Sequence, residues 1–98
     1  MEKVIVEKLT YLLDHMDSYI VSIIDDVLHD SNEDPECSAV TTTNLIKCYI
    51  DVKKALNQDP GANNVEEYLR NNCLTSDEIF AFEQKRKAEA NYYIGKQY

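Results

Sequence analysis

A chain of 98 residues, 44% of them hydrophobic and with a formal net charge of −8, is long enough for one modest core and too short for two. Two Gly and two Pro leave little material for turns, which favours a few long helices over many short strands. The acidic balance argues against direct nucleic-acid binding, no apolar stretch approaches the roughly 20 residues that span a bilayer, and the first eight residues alternate apolar and charged side chains where a secretory leader would be continuously apolar.

The sequence predicts an all-α fold: a small single-domain bundle of three to four helices over residues 1–98, with helices at about 2–29, 36–57, 64–72 and 76–94. A cytoplasmic location is expected, in the host cell if the chain is viral.

Glu2 to His29 reads as one long amphipathic helix. At about 100° per residue, Ile5, Val6, Leu9, Leu12, Leu13, Met16, Tyr19, Ile20, Ile23, Ile24 and Val27 share a sector of roughly 140°, a stripe expected to face the core. Glu7, Tyr11, Asp14, His15, Ser18, Ser22, Asp25 and His29 fall on the opposite, wet face. Such a helix is roughly 40 Å long, against a radius of gyration of about 13 Å for a compact chain of this size. Either it bends or breaks near Asp17-Ser18, or part of its stripe outruns the rest of the chain and packs on a second copy.

Asp30-Ser31-Asn32-Glu33-Asp34-Pro35-Glu36 ends that helix. Asp30, Asn32 and Asp34 match the first, third and fifth positions of a calcium-binding loop, but Pro35 stands where the motif needs Gly and Thr41 where it needs a bidentate Glu. Calcium binding is not expected. Asp34-Pro35-Glu36 suits a helix start, with the Thr41-Thr42-Thr43 run as the alternative. The second helix is then expected to reach about Asn57, with Leu45, Tyr49, Val52 and Leu56 on one face and Ile46, Cys48 and Ile50 widening it. So broad an apolar circumference predicts a central helix, stopped by Asn57-Gln58-Asp59-Pro60-Gly61.

Asn64 is a candidate N-cap for a short helix that offers Val65, Tyr68 and Leu69 to the core. Thr75-Ser76-Asp77-Glu78 matches the capping box, and Leu74 and Ile79 occupy the two positions of a hydrophobic staple. The last helix is expected to bury Ile79, Phe80 and Phe82 and then become polar. Lys85, Arg86 and Lys87 are the one basic cluster, read as a solvated face near a helix C-terminus. Gly95 is a candidate stop, and Tyr92, Tyr93, Ile94 and Tyr98 form an aromatic tail expected to dock on the core or on a second copy.

Nothing in the sequence assembles a catalytic site or calls for a cofactor. Cys37, Cys48 and Cys73 are spaced neither as a zinc site nor as a disulfide framework and are expected reduced, Cys48 in the core. His15 and His29, on one helix and roughly 21 Å apart by helical rise, cannot share a metal ion. Cys73 precedes a helix that would stabilise a thiolate, but no motif brings a base to it. The chain is therefore not expected to be an enzyme.

The distribution of charge is more informative. From Leu9 to Ile46 there are eight acids and no Lys or Arg, while the other sixty residues hold ten acids and ten bases. This predicts a protein-interaction module, an inhibitor or adaptor that meets a basic protein surface, of the kind that handles nucleic acid, through Tyr11, Asp14, Asp17, Asp25, Asp26, Asp30, Glu33, Asp34 and Glu36. Viral anti-defence proteins, antitoxins and immunity proteins share this small acidic character; no motif assigns the chain to any of them. An alternative is a homodimer or larger assembly built on Leu9, Leu12, Met16, Tyr92 and Tyr93. A weaker one is a small-ligand binder that stacks its ligand on Tyr11, Tyr92 and Tyr93.

Overall fold

The computed structural model describes residues 2–29 and 38–96, with side chains described as far as residue 90. Four helices follow one another: α1 (Lys3–His29), α2 (Ala39–Ala55), α3 (Val65–Asn71) and α4 (Ser76–Lys96). The described residues form no strand. The fold is all-α, with the long N-terminal helix unbroken through Asp17 and Ser18.

Each start has a local cause. The Ser38 hydroxyl accepts the Thr41 N–H at 3.0 Å, and Asn64 Oδ1 accepts the Glu67 N–H at 2.8 Å. At α4 the expected capping box closes in both directions, Glu78 N–H to Thr75 Oγ1 at 3.2 Å and Thr75 N–H to Glu78 Oε1 at 3.0 Å. The Thr75 backbone N–H, and after it the Thr75 side chain, hold the Glu78 carboxyl below its ordinary range.

The start of α2 corrects both sequence alternatives. It begins neither behind Asp34, which lies outside the described residues, nor within the threonine run, but at Ala39. A second partner of that start comes from far along the chain. Glu89 on α4 takes the Ala39 and Val40 amides on its two carboxylate oxygens, at 3.2 and 3.0 Å, against the positive end of the α2 dipole.

Two helices end in left-handed residues. After α2, Asn57 has φ 59°, and the bonds Gln58 N–H to Lys53 O and Asn57 N–H to Lys54 O complete a Schellman motif, so α2 ends at Ala55 and not at Asn57. After α3, Cys73 has φ 68° in the same arrangement, with Leu74 N–H on Leu69 O and Cys73 N–H on Arg70 O. Asn tolerates this conformation through its short polar side chain; Cys is strained there. Gly95 does not stop α4, which runs on to Lys96.

α2 is central as expected, packing against α1, α3 and α4. The core is built from Leu13, Ile20, Ile23, Ile24 and Val27 of α1, Ile46, Tyr49 and Ile50 of α2, Tyr68 and Leu69 of α3, and Ile79 and Phe82 of α4. Phe80 is not among them and stands 66% exposed. Ile79 and Phe82 lie some 60° apart around the helix, and Phe80 is thrown about 160° from Phe82, outside that sector. Cys48 is likewise exposed, on the side of α2 away from Ile46 and Ile50.

Every buried residue of α1 lies at or beyond Leu13. The molecule measures 43 × 34 × 21 Å, so its longest dimension is about the length of α1, and the first turns of that helix overhang the bundle.

Candidate interaction surface

The outward side of α1 divides into parts of different character. Asp14 lies 3.7 Å from Lys53 Nζ of α2, whose side chain is only 11% exposed and whose ammonium stands 5.7 Å from the centre of the Tyr49 ring. Asp17 is half-buried and accepts the Tyr68 hydroxyl of α3 at 2.5 Å. Tyr68 meets Tyr49 edge to face, with ring centroids 5.9 Å apart. Burial pushes the Tyr68 phenol far above its ordinary value of 10, and the bond to Asp17 and its charge push it further. Tyr49 is raised by burial first, then by the charges of Asp17 and Asp14. Asp14 and Asp17 thus take part in a polar junction among α1, α2 and α3.

Further along α1, Asp25 and Asp26 are exposed. Asp25 stands 3.6 Å from His29 one turn on, a pair open to water and correspondingly weak. Tyr11 is exposed and lies against the His15 ring, with centroids 4.3 Å apart, while His15 Nδ1 is 3.2 Å from the Tyr11 carbonyl oxygen. Glu7 is exposed on the same side as Asp25. The helix therefore offers Glu7, Asp14, Asp25 and Asp26 to a partner more freely than Asp17, although Asp14 also meets Lys53. Asp30, Glu33, Asp34 and Glu36 lie outside the described residues.

Among the residues expected at an oligomer contact, Leu12 is 61% exposed, while Leu9 and Met16 are half-buried, Met16 against the core. The side chains of Tyr92 and Tyr93 lie outside the described ones. Ile5 and Tyr19, which the sequence stripe assigned to the core, are 46% and 52% exposed. The stripe is wider than the bundle beneath it, and only its far side is covered.

The basic cluster of α4 keeps Lys85 and Lys87 exposed, and two of its members make contacts. Lys85 donates to the Val27 carbonyl near the negative end of α1, and Arg86 donates through Nε and a terminal amine to Glu83 at 3.0 and 2.8 Å.

Two concavities escaped the sequence reading. A groove of about 890 Å³ between α2, α3 and α4 has Ile50, Val65, Ile79 and Phe80 along it and both charge signs at its rim, among them Lys47, Lys87, Asp51 and Glu83. A smaller cleft of about 190 Å³ is lined by Asp25 and His29 at the end of α1 and by Cys73, so the fold places a histidine and the thiol on one cleft. Among the described residues no three His, Cys, Asp or Glu side chains are grouped so as to hold a metal ion, and no helix is long and apolar enough to cross a membrane. No protein-family model, no curated protein and no solved structure matches the chain.

Proposed function

We propose that the protein is a non-catalytic interaction module, an inhibitor or adaptor that docks on a basic protein surface through the outward acids of α1 and the acid-rich segment after it. The observation that carries this reading is an uncompensated charge on an ordered support. Between Leu9 and Ile46 eight carboxylates meet no Lys or Arg in sequence, and of the four on α1 only Asp17, bonded to Tyr68, is half-buried, while Asp14 meets Lys53 at the surface. Glu7, Asp25 and Asp26 stay in water on a rigid helix. A row of carboxylates on a rigid rod presents to a cationic groove what a phosphate backbone presents, and its field speeds encounter with such a groove. The partner class that fits is a protein whose basic surface otherwise takes nucleic acid.

Immobilised protein is incubated with extract of its native source, washed in steps of rising salt, and the retained proteins are identified. Retention of basic proteins that are released as salt rises, and displaced by added duplex DNA, supports the reading. Retention indifferent to both salt and DNA contradicts it, since exposed charges further apart than a Debye length of about 10 Å at 0.1 M salt are largely screened.

A further inference from the structure

The chain has two histidines, and both stand exposed on the outward side of α1. Around that helix Glu7, Asp14, His15, Asp25 and His29 share a sector of roughly 100°, with Asp26 beside it. His29 is the last residue of α1, and its Nε2 stands 3.6 Å from the Asp25 carboxylate one turn back. His15 follows Asp14 directly and lies against the Tyr11 ring, with centroids 4.3 Å apart. From Leu9 to His29 the helix holds four aspartates and no Lys or Arg, so the two imidazoles are the side chains of that stretch that can become cationic.

Other elements bring charges to the same places. His29 shares its cleft with Glu78 of α4 and with Cys73 after α3 as well as with Asp25. Lys85 of α4 reaches the Val27 carbonyl two residues before it. Beside His15, Asp14 meets Lys53 of α2.

We propose that His15 and His29 form a proton switch on the acidic face of α1, resting on the docking role proposed for that face: protonated, they oppose its carboxylates and release a cationic partner. Imidazole is the side chain whose ordinary titration falls between pH 5 and 8, a range in which exposed carboxylates and the Lys and Arg of a partner keep their charge. Acidification through that range therefore alters the face and leaves a Lys- and Arg-rich partner as it was. Two protons halve the formal charge between Leu9 and His29. They also arrive at the acids that matter most for docking, since an imidazolium at His29 pairs with exposed Asp25 and one at His15 stands beside exposed Asp14. These separations are well inside a Debye length of about 10 Å at 0.1 M salt, so screening does not remove the effect. Docking is strongest above the imidazole range and is lost as pH falls through it.

The full chain is titrated with fluorescent polylysine at pH 7.5 and pH 5.5 and one low ionic strength. Four proteins are compared: wild type, His15→Gln with His29→Gln, His15→Lys with His29→Lys, and Asp25→Asn with Asp26→Asn. Circular dichroism at both pH values checks the fold, which these replacements of exposed side chains should leave intact. Wild type should bind at least about fivefold more weakly at pH 5.5 than at pH 7.5. The Gln pair should bind alike at both, and the Lys pair should bind at pH 7.5 as weakly as wild type does at pH 5.5. A Gln pair that keeps the wild-type loss overturns the switch, as does a Lys pair that matches wild type at pH 7.5. Polylysine that does not bind, or that binds regardless of the Asp25 and Asp26 replacements, overturns the docking surface and the switch with it. Binding that those replacements weaken but that holds steady between the two pH values overturns the switch alone.

Discussion

The Tyr68 hydroxyl of α3 donates to the Asp17 carboxylate of α1 at 2.5 Å, joining residues 51 positions apart. α3 lies against α2 and α4, and this long side chain gives it a hydrogen bond to α1. The bond also turns one of the helix's aspartates from the acidic face to the polar junction. Replacing Tyr68 by Phe keeps the ring in the core and deletes only the donor. A hydrogen bond to a charged acceptor contributes about 1.5–3 kcal/mol, and half-buried Asp17 can recover part of that from water, so Tyr68→Phe should cost about 1–2 kcal/mol in urea unfolding with little change in m-value. A loss near zero would show that the bond contributes nothing net.

The same junction makes a statement about alkaline pH. Tyr49 and Tyr68 are both held above their ordinary value of 10, so the folded chain keeps phenolic protons that the unfolded chain releases. Their contribution to stability is complete below pH 10 and is lost as pH rises above it. Spectrophotometric titration should find Tyr49 and Tyr68 still un-ionised beyond the ordinary range until the chain unfolds. Glu78 acts in the opposite direction. Its lowered value stabilises the fold above the ordinary carboxyl range, and that contribution disappears as pH falls through the lowered value. Glu78→Gln should therefore flatten the acid limb of the stability profile and leave the alkaline limb unchanged.

Cys73 is a non-glycine residue in the left-handed region at the end of α3, and its side chain is exposed. Left-handed geometry costs an L-residue with a Cβ on the order of 1–2 kcal/mol, while Gly has no such penalty. Cys73→Gly should stabilise the chain by about 1 kcal/mol after the greater backbone freedom of the unfolded glycine is offset. Cys73→Ala, which keeps the Cβ, should not. Equal effects of the two would mean that the thiol itself, in its cleft with His29, sets the stability of this turn.

Glu89 is the third kind of contact that the fold depends on, a side chain that caps another helix. Removing it in Glu89→Ala leaves the Ala39 and Val40 amides facing the α2 dipole without an acceptor, and should cost about 1–2 kcal/mol. The loss should appear locally as faster amide exchange at Ala39 and Val40, whereas the amide of Thr41, held by Ser38, should change less.

What the residues disclosed in advance was what they decide locally. The apolar period of α1 and the Asn64 and Thr75 caps rest on neighbours within a turn, and α1, α3 and α4 begin within a residue of where those signals put them. The start of α2 rests on Ser38, a local cap that neither sequence alternative used, and on Glu89, some fifty residues away, which nothing near Asp34 or Thr41 reveals. Periodicity likewise gave α1 a wide stripe without saying which edge the bundle covers, so Ile5, Leu12 and Tyr19 were expected inside and stand outside. The acidic face was legible as a charge count. That Asp17 is drawn inward while Glu7, Asp14, Asp25 and Asp26 stay exposed required Tyr68 to arrive from α3, with Lys53 of α2 meeting Asp14 at the surface. Lys53, four residues after Tyr49 on an otherwise apolar face of α2, was the one sequence hint of an inward cation.

The most direct test of the account asks whether the outward acids of α1, and not acidity in general, hold the partner. Asp25→Asn with Asp26→Asn removes two exposed carboxylates from α1; Asp51→Asn with Asp77→Asn removes two exposed carboxylates from α2 and α4, for the same change in net charge. Retention of basic proteins from native extract is measured at low salt for both variants and wild type. The account requires the α1 pair to weaken retention by about tenfold or more, with the charge-matched control close to wild type. Equal weakening by both variants, or none by either, would contradict it.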